Sequence, residues 1–105
     1  MAKPIITTTD VAGFRIVRFE IPGGVCTSEE FAEATREVEP ALAGSKVVLL
    51  NGRGPVWGYG MLIHAAHPTP AVGTFDPRLG GYVVVASHNA AHTVGSVIPD
   101  PEQAQ

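Results

Sequence analysis

Apolar and polar positions alternate with a period of two in the first fifth of the chain. Residues 4–9 (PIITTT) are β-branched and predict a short strand, placed at a sheet edge because Pro4 opens it. Over residues 14–21, Phe14, Ile16, Arg18 and Glu20 fall on one face and Arg15, Val17, Phe19 and Ile21 on the other. The second is the better core face toward the strand's end, and Pro22-Gly23-Gly24 stops it. The period then lengthens to that of a helix. Thr27 with Glu30 three positions on is a capping-box pattern, and Glu29 and Glu30 lie where the helix dipole favours carboxylates. Phe31, Ala34, Thr35, Val38 and Leu42 form an apolar stripe that Pro40 interrupts and Gly44 ends. The acids Glu29, Glu30, Glu33, Glu37 and Glu39 read as its solvated face.

Lys46–Asn51 is a nearly continuous apolar run, the pattern of a central strand buried on both faces. Gly52-Arg53-Gly54-Pro55 turns the chain into a second helix over 56–66, with Trp57, Met61 and Ala65 at helical spacing as packed residues. Gly58 and Gly60 each cost about 1 kcal/mol there relative to Ala, so their presence points to close backbone approach, to the sheet or to a second subunit. Pro68 and Pro70 end the helix, and strands at 71–75 and 82–86 flank a tight connection over Asp76–Gly81. Residues 94–98 predict a last strand, and 99–105 a frayed tail. The order β-β-α-β-α-β-β-β implies one α/β domain over residues 1–105, a mixed sheet with two helices.

A hydrophobic content of 45% excludes a disordered chain. The longest aliphatic runs, Val47–Leu50 and Val83–Ala86, are too short to span a bilayer. The N-terminus shows no basic segment followed by an apolar one, and the single cysteine, Cys26, cannot close an internal disulfide. With no cationic neighbour to activate it, Cys26 reads as structural or incidental. The expectation is a soluble cytoplasmic protein with no membrane contact. Charge is uneven: residues 1–39 carry four basic and seven acidic side chains, whereas 40–99 carry Lys46, Arg53 and Arg78 against Asp76 alone. A mildly cationic segment suits a small anionic ligand, but it lacks the Lys/Arg density that holds duplex DNA.

The residues able to do chemistry cluster in that segment: His64, His67, His88, His92, Asp76, Arg53 and Arg78. A carboxylate and imidazoles can bind a divalent metal or move protons, and arginine pairs with phosphate oxygens. Each residue also has an ordinary reading. Asp76 before Pro77 opens turns, His64 packs or is solvated on a helix, and His92 belongs to a polar loop. Arg53 between two glycines places a cation beside exposed N–H groups, a nest for an anion. The hairpin predicts His88 roughly 20 Å from the turn, at about 3.3 Å per residue, with His67 near that far end too. Uniting them with Asp76 and Arg78 then needs a fold-back or a second subunit.

NGRGPVW, then HPTP, then FDPRLGGYVVVASH resemble the small stand-alone ring nucleases associated with type III CRISPR systems, over residues 47–99. The resemblance implies a distant CRISPR-associated Rossmann-like fold and degradation of cyclic tetra-adenylate between two homodimers, a ligand-bridged homotetramer. It implies a catalytic set of His67, Asp76 and Arg78, ligand contacts from Asn51 and Arg53, and Mn2+ held by Asp76 and His88. Asn51 stands where the family has a small hydroxyl residue, and Gly81 adds one residue to the turn, with a one-residue shift of His88 in prospect. Two other functions use the same residues: a cyclic-oligoadenylate sensor that binds without cleaving, and a manganese-dependent 3′ exonuclease on short adenosine-rich RNA.

Overall fold

The computed structural model describes residues 2–103. Strands β1 (Ile5–Val11), β2 (Phe14–Glu20), β3 (Val47–Gly52), β4 (Ala71–Asp76), β5 (Gly81–Ser87) and β6 (Val97–Pro99) form one sheet, with helices α1 (Ser28–Val38) and α2 (Val56–Ala65) between β2 and β4. Strand order in space equals order in sequence. β2, β3 and β4 are mutually parallel, and β1, β5 and β6 join antiparallel at the flanks. This is the single-domain α/β architecture with a mixed sheet and two helices that the sequence predicts. Both crossovers advance in one direction, so their shared hand places both helices on the same face. The sheet therefore lacks the strand-order reversal of a doubly wound fold.

The helix-side core joins Val17, Phe19, Val48, Leu50 and Val72 of the sheet to Phe31, Leu42, Leu62 and Ala65. The opposite face buries Ile16, Leu49, Tyr82, Val84 and Ile98. β2 is thus buried on both faces, where alternation alone favours one. The second cover comes from the connection after β5, whose His92 packs edge-on against Phe14 at 6.1 Å, and from the tail. The expected fraying at 99–105 is corrected as far as residue 103. Asp100 and Pro101 are buried, Glu102 pairs with Arg18, and Gln103 N–H donates to the Asp100 carbonyl. Residues 104–105 lie outside the described residues. The last strand is also shorter than predicted: Val94 is exposed and Gly95 sits at φ +94°, in a turn that precedes Val97.

α1 starts on the predicted capping box, with Glu30 N–H donating to Thr27 Oγ1 at 3.0 Å and Thr27 N–H to Glu30 Oε1 at 2.7 Å. α2 is rotated from its predicted orientation. Its buried residues are Gly58, Leu62 and Ala65, while Trp57, expected in the core, is 42% exposed. Gly58 explains the rotation: a Cβ there would stand 2.8 Å from the Phe31 ring, so the glycine lets the two helices touch. The close approach is to α1, and Gly60 faces open space. Gly58→Ala should therefore destabilise by about 1–3 kcal/mol through overpacking against a fully buried ring. Gly60→Ala should stabilise by up to about 1 kcal/mol from helix propensity alone. Urea unfolding of the two variants checks the opposite signs.

Candidate functional site

The residues singled out by sequence fall into two groups at opposite ends of the β4–β5 hairpin. At the carboxyl end of β4, Asp76 opens the turn. Its Oδ1 accepts from Arg78 N–H at 2.9 Å, and its Oδ2 meets Arg78 Nη2 at 3.3 Å. Leu79 N–H donates to the Asp76 carbonyl and Gly80 takes φ +64°, so a four-residue connection returns the chain at Gly81. The turn and the charged pair are one object. These bonds hold the Asp76 carboxyl below its ordinary value, the Arg78 side chain first among the causes and the Arg78 N–H next.

At the other end, Pro68 and Pro70 terminate α2. Thr69 Oγ1 donates to the Ala66 carbonyl at 2.7 Å, and His88 N–H to the Pro70 carbonyl at 2.7 Å. Those anchors bring His67 beside His88, ring centroids 5.1 Å apart and nearly perpendicular. Both line a cleft of about 280 Å³ with His64, Thr69 and Ser87. His92 stands elsewhere, against Phe14. Gly81 pairs regularly with Asp76, and the register shift expected from it lies instead where Val72 pairs with Ala86 and Gly73 with Val84, leaving Val85 as the extra residue.

Six residue-to-residue steps along β4 separate Pro70 from Asp76, roughly 20 Å at about 3.3 Å per residue. One ion cannot be ligated by Asp76 and His88 of the same chain. Among the described residues, no three His, Cys, Asp or Glu side chains come together as a metal set. Mn2+ favours oxygen-rich, six-coordinate surroundings, and the donors of one chain do not fit it.

The carboxyl edge of β3 carries the other pair. Asn51 Nδ2 donates to Tyr82 Oη at 3.1 Å, beneath the face opposite the helices. Burial raises the Tyr82 phenol, with the Asn51 bond opposing. Arg53, beyond the strand, lines a groove of about 590 Å³ with Glu20, Val25 and Trp57. Asn51 and Arg53 thus belong to neighbouring concavities, with Glu20 lining both. Tyr59 fixes the loop between them. Its hydroxyl donates to the Gly52 carbonyl at 2.5 Å and accepts from Gly52 N–H at 3.2 Å. Arg18 sits at the same edge, paired with Glu102. Sequence reading missed Tyr59 as a clamp and Arg18 as an edge cation. Tyr59 lies seven residues after Gly52, and a polar-tipped aromatic in an otherwise apolar helix is the signal that points to it.

Replacing Arg78 by Gln removes the largest cause of the Asp76 shift. The carboxyl should then titrate closer to the ordinary 3.8, as followed by carboxyl-carbon NMR. Because the folded-state value is depressed, whatever stability the pair contributes is present above the ordinary aspartate range and lost as pH falls through the lowered value. The variant should lose that acid-side dependence. An unmoved Asp76 titration would show that the pair does not persist in solution.

Two likenesses accompany this geometry. An "Uncharacterized protein" of Aquifex aeolicus (strain VF5) is 61% identical over 51 residues, which span 49% of this chain and 46% of that protein. The chain thus covers just under half the length of that curated relative. The model of the family described as CRISPR-associated protein (Cas_csx3) matches residues 30–99, from the first turn of α1 to the end of β6, and so takes in both ends of the hairpin and the Arg53 loop. With two thirds of its length matched, the chain belongs to the CRISPR-associated protein (Cas_csx3) family.

Proposed function

We propose that this CRISPR-associated protein is a ring nuclease, opening cyclic tetra-adenylate where the His67–His88 end of one copy meets the Asp76–Arg78 end of another. The observation that carries this reading is the pair of neighbouring imidazoles, ring centroids 5.1 Å apart, at one end of a hairpin whose other end holds a carboxylate–guanidinium pair. Neither end is a complete site. Two imidazoles can shuttle a proton but offer no counter-charge for a phosphorane. The guanidinium can neutralise phosphoryl oxygens but cannot accept a proton.

Brought together, they support a balanced reaction. A ribose 2′-hydroxyl attacks phosphorus in line and gives its proton to one neutral imidazole. The P–O5′ bond breaks, and the leaving 5′-oxygen takes a proton from the partner ring, which enters the step as an imidazolium and leaves it as a neutral imidazole. The products are a 2′,3′-cyclic phosphate and a 5′-hydroxyl, with Arg78 paired to the non-bridging oxygens throughout. Asp76 orients Arg78 through the bonds it already makes within the turn. A cyclic ligand with repeated phosphates suits a symmetric assembly, in which a two-fold axis offers equivalent residues to opposite edges. A homodimer and a ligand-bridged homotetramer belong to this proposal. Mn2+ belongs to it only where two copies pool donors, and no step above runs through it.

Labelled cyclic tetra-adenylate and linear oligoadenylate, each with and without Mn2+, test the reading. Wild-type protein should open the ring. His67→Ala and Asp76→Asn should each lose at least about 100-fold, the usual scale for a positioned proton-transfer group or charge stabiliser. The asparagine keeps the turn's acceptor oxygen, so its loss reports charge and not folding. If the site is shared, mixing the two dead variants with subunit exchange should restore about a quarter of wild-type activity. Half of the random dimers are mixed, and each of these has one intact site of two. No recovery on mixing would refute the shared site. Binding without turnover would select the sensor, and cleavage of linear RNA alone the exonuclease.

A further inference from the structure

The carboxyl edge holds a polar cluster that no step above uses. It lies on the sheet face opposite the helices, where Arg18 of β2 stands beside Asn51 of β3 in register. Both line a concavity of about 340 Å³ with Thr7. Asn51 Nδ2 donates to the hydroxyl of Tyr82, whose side chain is wholly buried. That hydroxyl accepts one bond, and among the described residues its own proton has no acceptor. After burial and the Asn51 bond, the charges that act on the Tyr82 phenol are those of Asp100, Arg18 and Glu102. A guanidinium and a phenol with an unspent proton are thus neighbours, and both seek oxygen.

The oxygen they have is borrowed from the end of the chain. Glu102 pairs with Arg18. A turn carries it there: Asp100 N–H donates to the Gly80 carbonyl at 3.2 Å, and Glu102 N–H to Asp100 Oδ1 at 3.0 Å. Asp100 and Pro101 are buried, whereas the Arg18 and Glu102 side chains are 42% and 35% exposed. The segment is therefore anchored at Asp100 and exchangeable at Glu102, because a part-exposed ion pair holds its partners weakly. A carboxylate has two oxygens. A phosphate has more, enough to take the Arg18 fork with two and leave one for the Tyr82 proton. We infer that Arg18 and Tyr82 form a phosphate site, and that Glu102 occupies it as an internal stand-in until a phosphate displaces it. Gly80, which anchors this strap, belongs to the connection that carries Asp76 and Arg78, so the strap reaches from that turn to Arg18. The inference deepens the ring-nuclease reading and rests on it for the identity of the polyanion, not for the exchange itself.

Inorganic phosphate is the probe, titrated into the full chain while NMR follows the arginine Nε–H and glutamate carboxyl-carbon signals. In the wild type the Arg18 and Glu102 signals should move together with one midpoint, since the guanidinium changes partner as the carboxylate is released. Glu102→Gln should lower the Arg18 midpoint by about two- to fivefold, the most that a part-exposed pair opposes. The Arg53 signal, from the neighbouring concavity, should keep its midpoint in that variant. In Arg18→Gln the Glu102 signal should no longer respond to phosphate. Tyr82→Phe keeps the packed ring and removes the hydroxyl, and should raise the Arg18 midpoint about fivefold, the scale of one hydrogen bond. An Arg18 signal that ignores phosphate, a Glu102 signal that stays put while Arg18 binds, or equal midpoints in wild type and Glu102→Gln would each overturn the inference. Labelled cyclic tetra-adenylate separates this claim from the one it rests on. Cleavage with an unresponsive Arg18 removes the phosphate site and leaves the nuclease. Exchange of Glu102 for phosphate without cleavage does the reverse.

Discussion

The structure depends on β3 being buried from both sides. Val47, Val48, Leu49 and Leu50 are all inaccessible to solvent or nearly so, and they feed two cores alternately. A strand of that kind is stable only if both of its faces are covered. The helices supply one cover, through Phe31, Leu42 and Leu62. The other face has no helix, and the chain covers it with what remains: the connection carrying His92 and the turn around Asp100. Much of the last tenth of the sequence is therefore structural, and Glu102 ends up against Arg18 as a consequence of that covering.

The same strand sets where chemistry can sit. A buried central strand presents functional groups only where it emerges, and β3 emerges at Asn51-Gly52-Arg53. Gly52 must be glycine, because an added Cβ would collide with the Phe19 carbonyl and ring. Tyr59 then ties that glycine's N–H and carbonyl to α2. Asn51 and Arg53, separated only by Gly52, therefore serve two concavities. The hairpin β4–β5 imposes a matching separation. Its length keeps His67 and His88 from Asp76 and Arg78, and no side-chain rotation bridges a strand.

How much of this was legible follows from how local each cause is. The capping box, the buried run at β3 and the Asp76 turn are written in a few adjacent residues, and all three take the predicted form. The separation of the histidines from Asp76 was legible from strand arithmetic. Trp57 was misplaced because the choice between neighbouring stripes on an almost wholly apolar helix depends on Phe31, a residue in another helix. The packed tail was missed for a related reason. PDPE has the composition of a loose end, and only the uncovered face of a sheet still unassembled would have said otherwise. Whether Asn51 meets a ligand could not be read either, since its partner Tyr82 arrives from 31 residues away.

The proposed function asks a chain of net charge −3 to receive a polyanion, and the carboxyl edge is where three of its cations stand. Three arginines stand toward the carboxyl ends of the three parallel strands: Arg18 in β2, Arg53 after β3 and Arg78 after β4. Two already hold carboxylates, Glu102 and Asp76, and both pairs are partly or largely exposed. Exposed pairs of this kind contribute little to stability, so exchanging a carboxylate for a phosphate costs little. Each exchange trades one anion for another and leaves the local charge nearly neutral. The edge consequently has no strong field that would gather long nucleic acid indiscriminately. Arg53 is the exception among these three. Its charge carries no carboxylate among the described residues, and the loop that bears it is fixed by Tyr59. Under the proposed function, an anion arriving at this edge would meet Arg53 as its unspent charge, and the neighbouring pairs would then test whether it carries further phosphates at the right spacing.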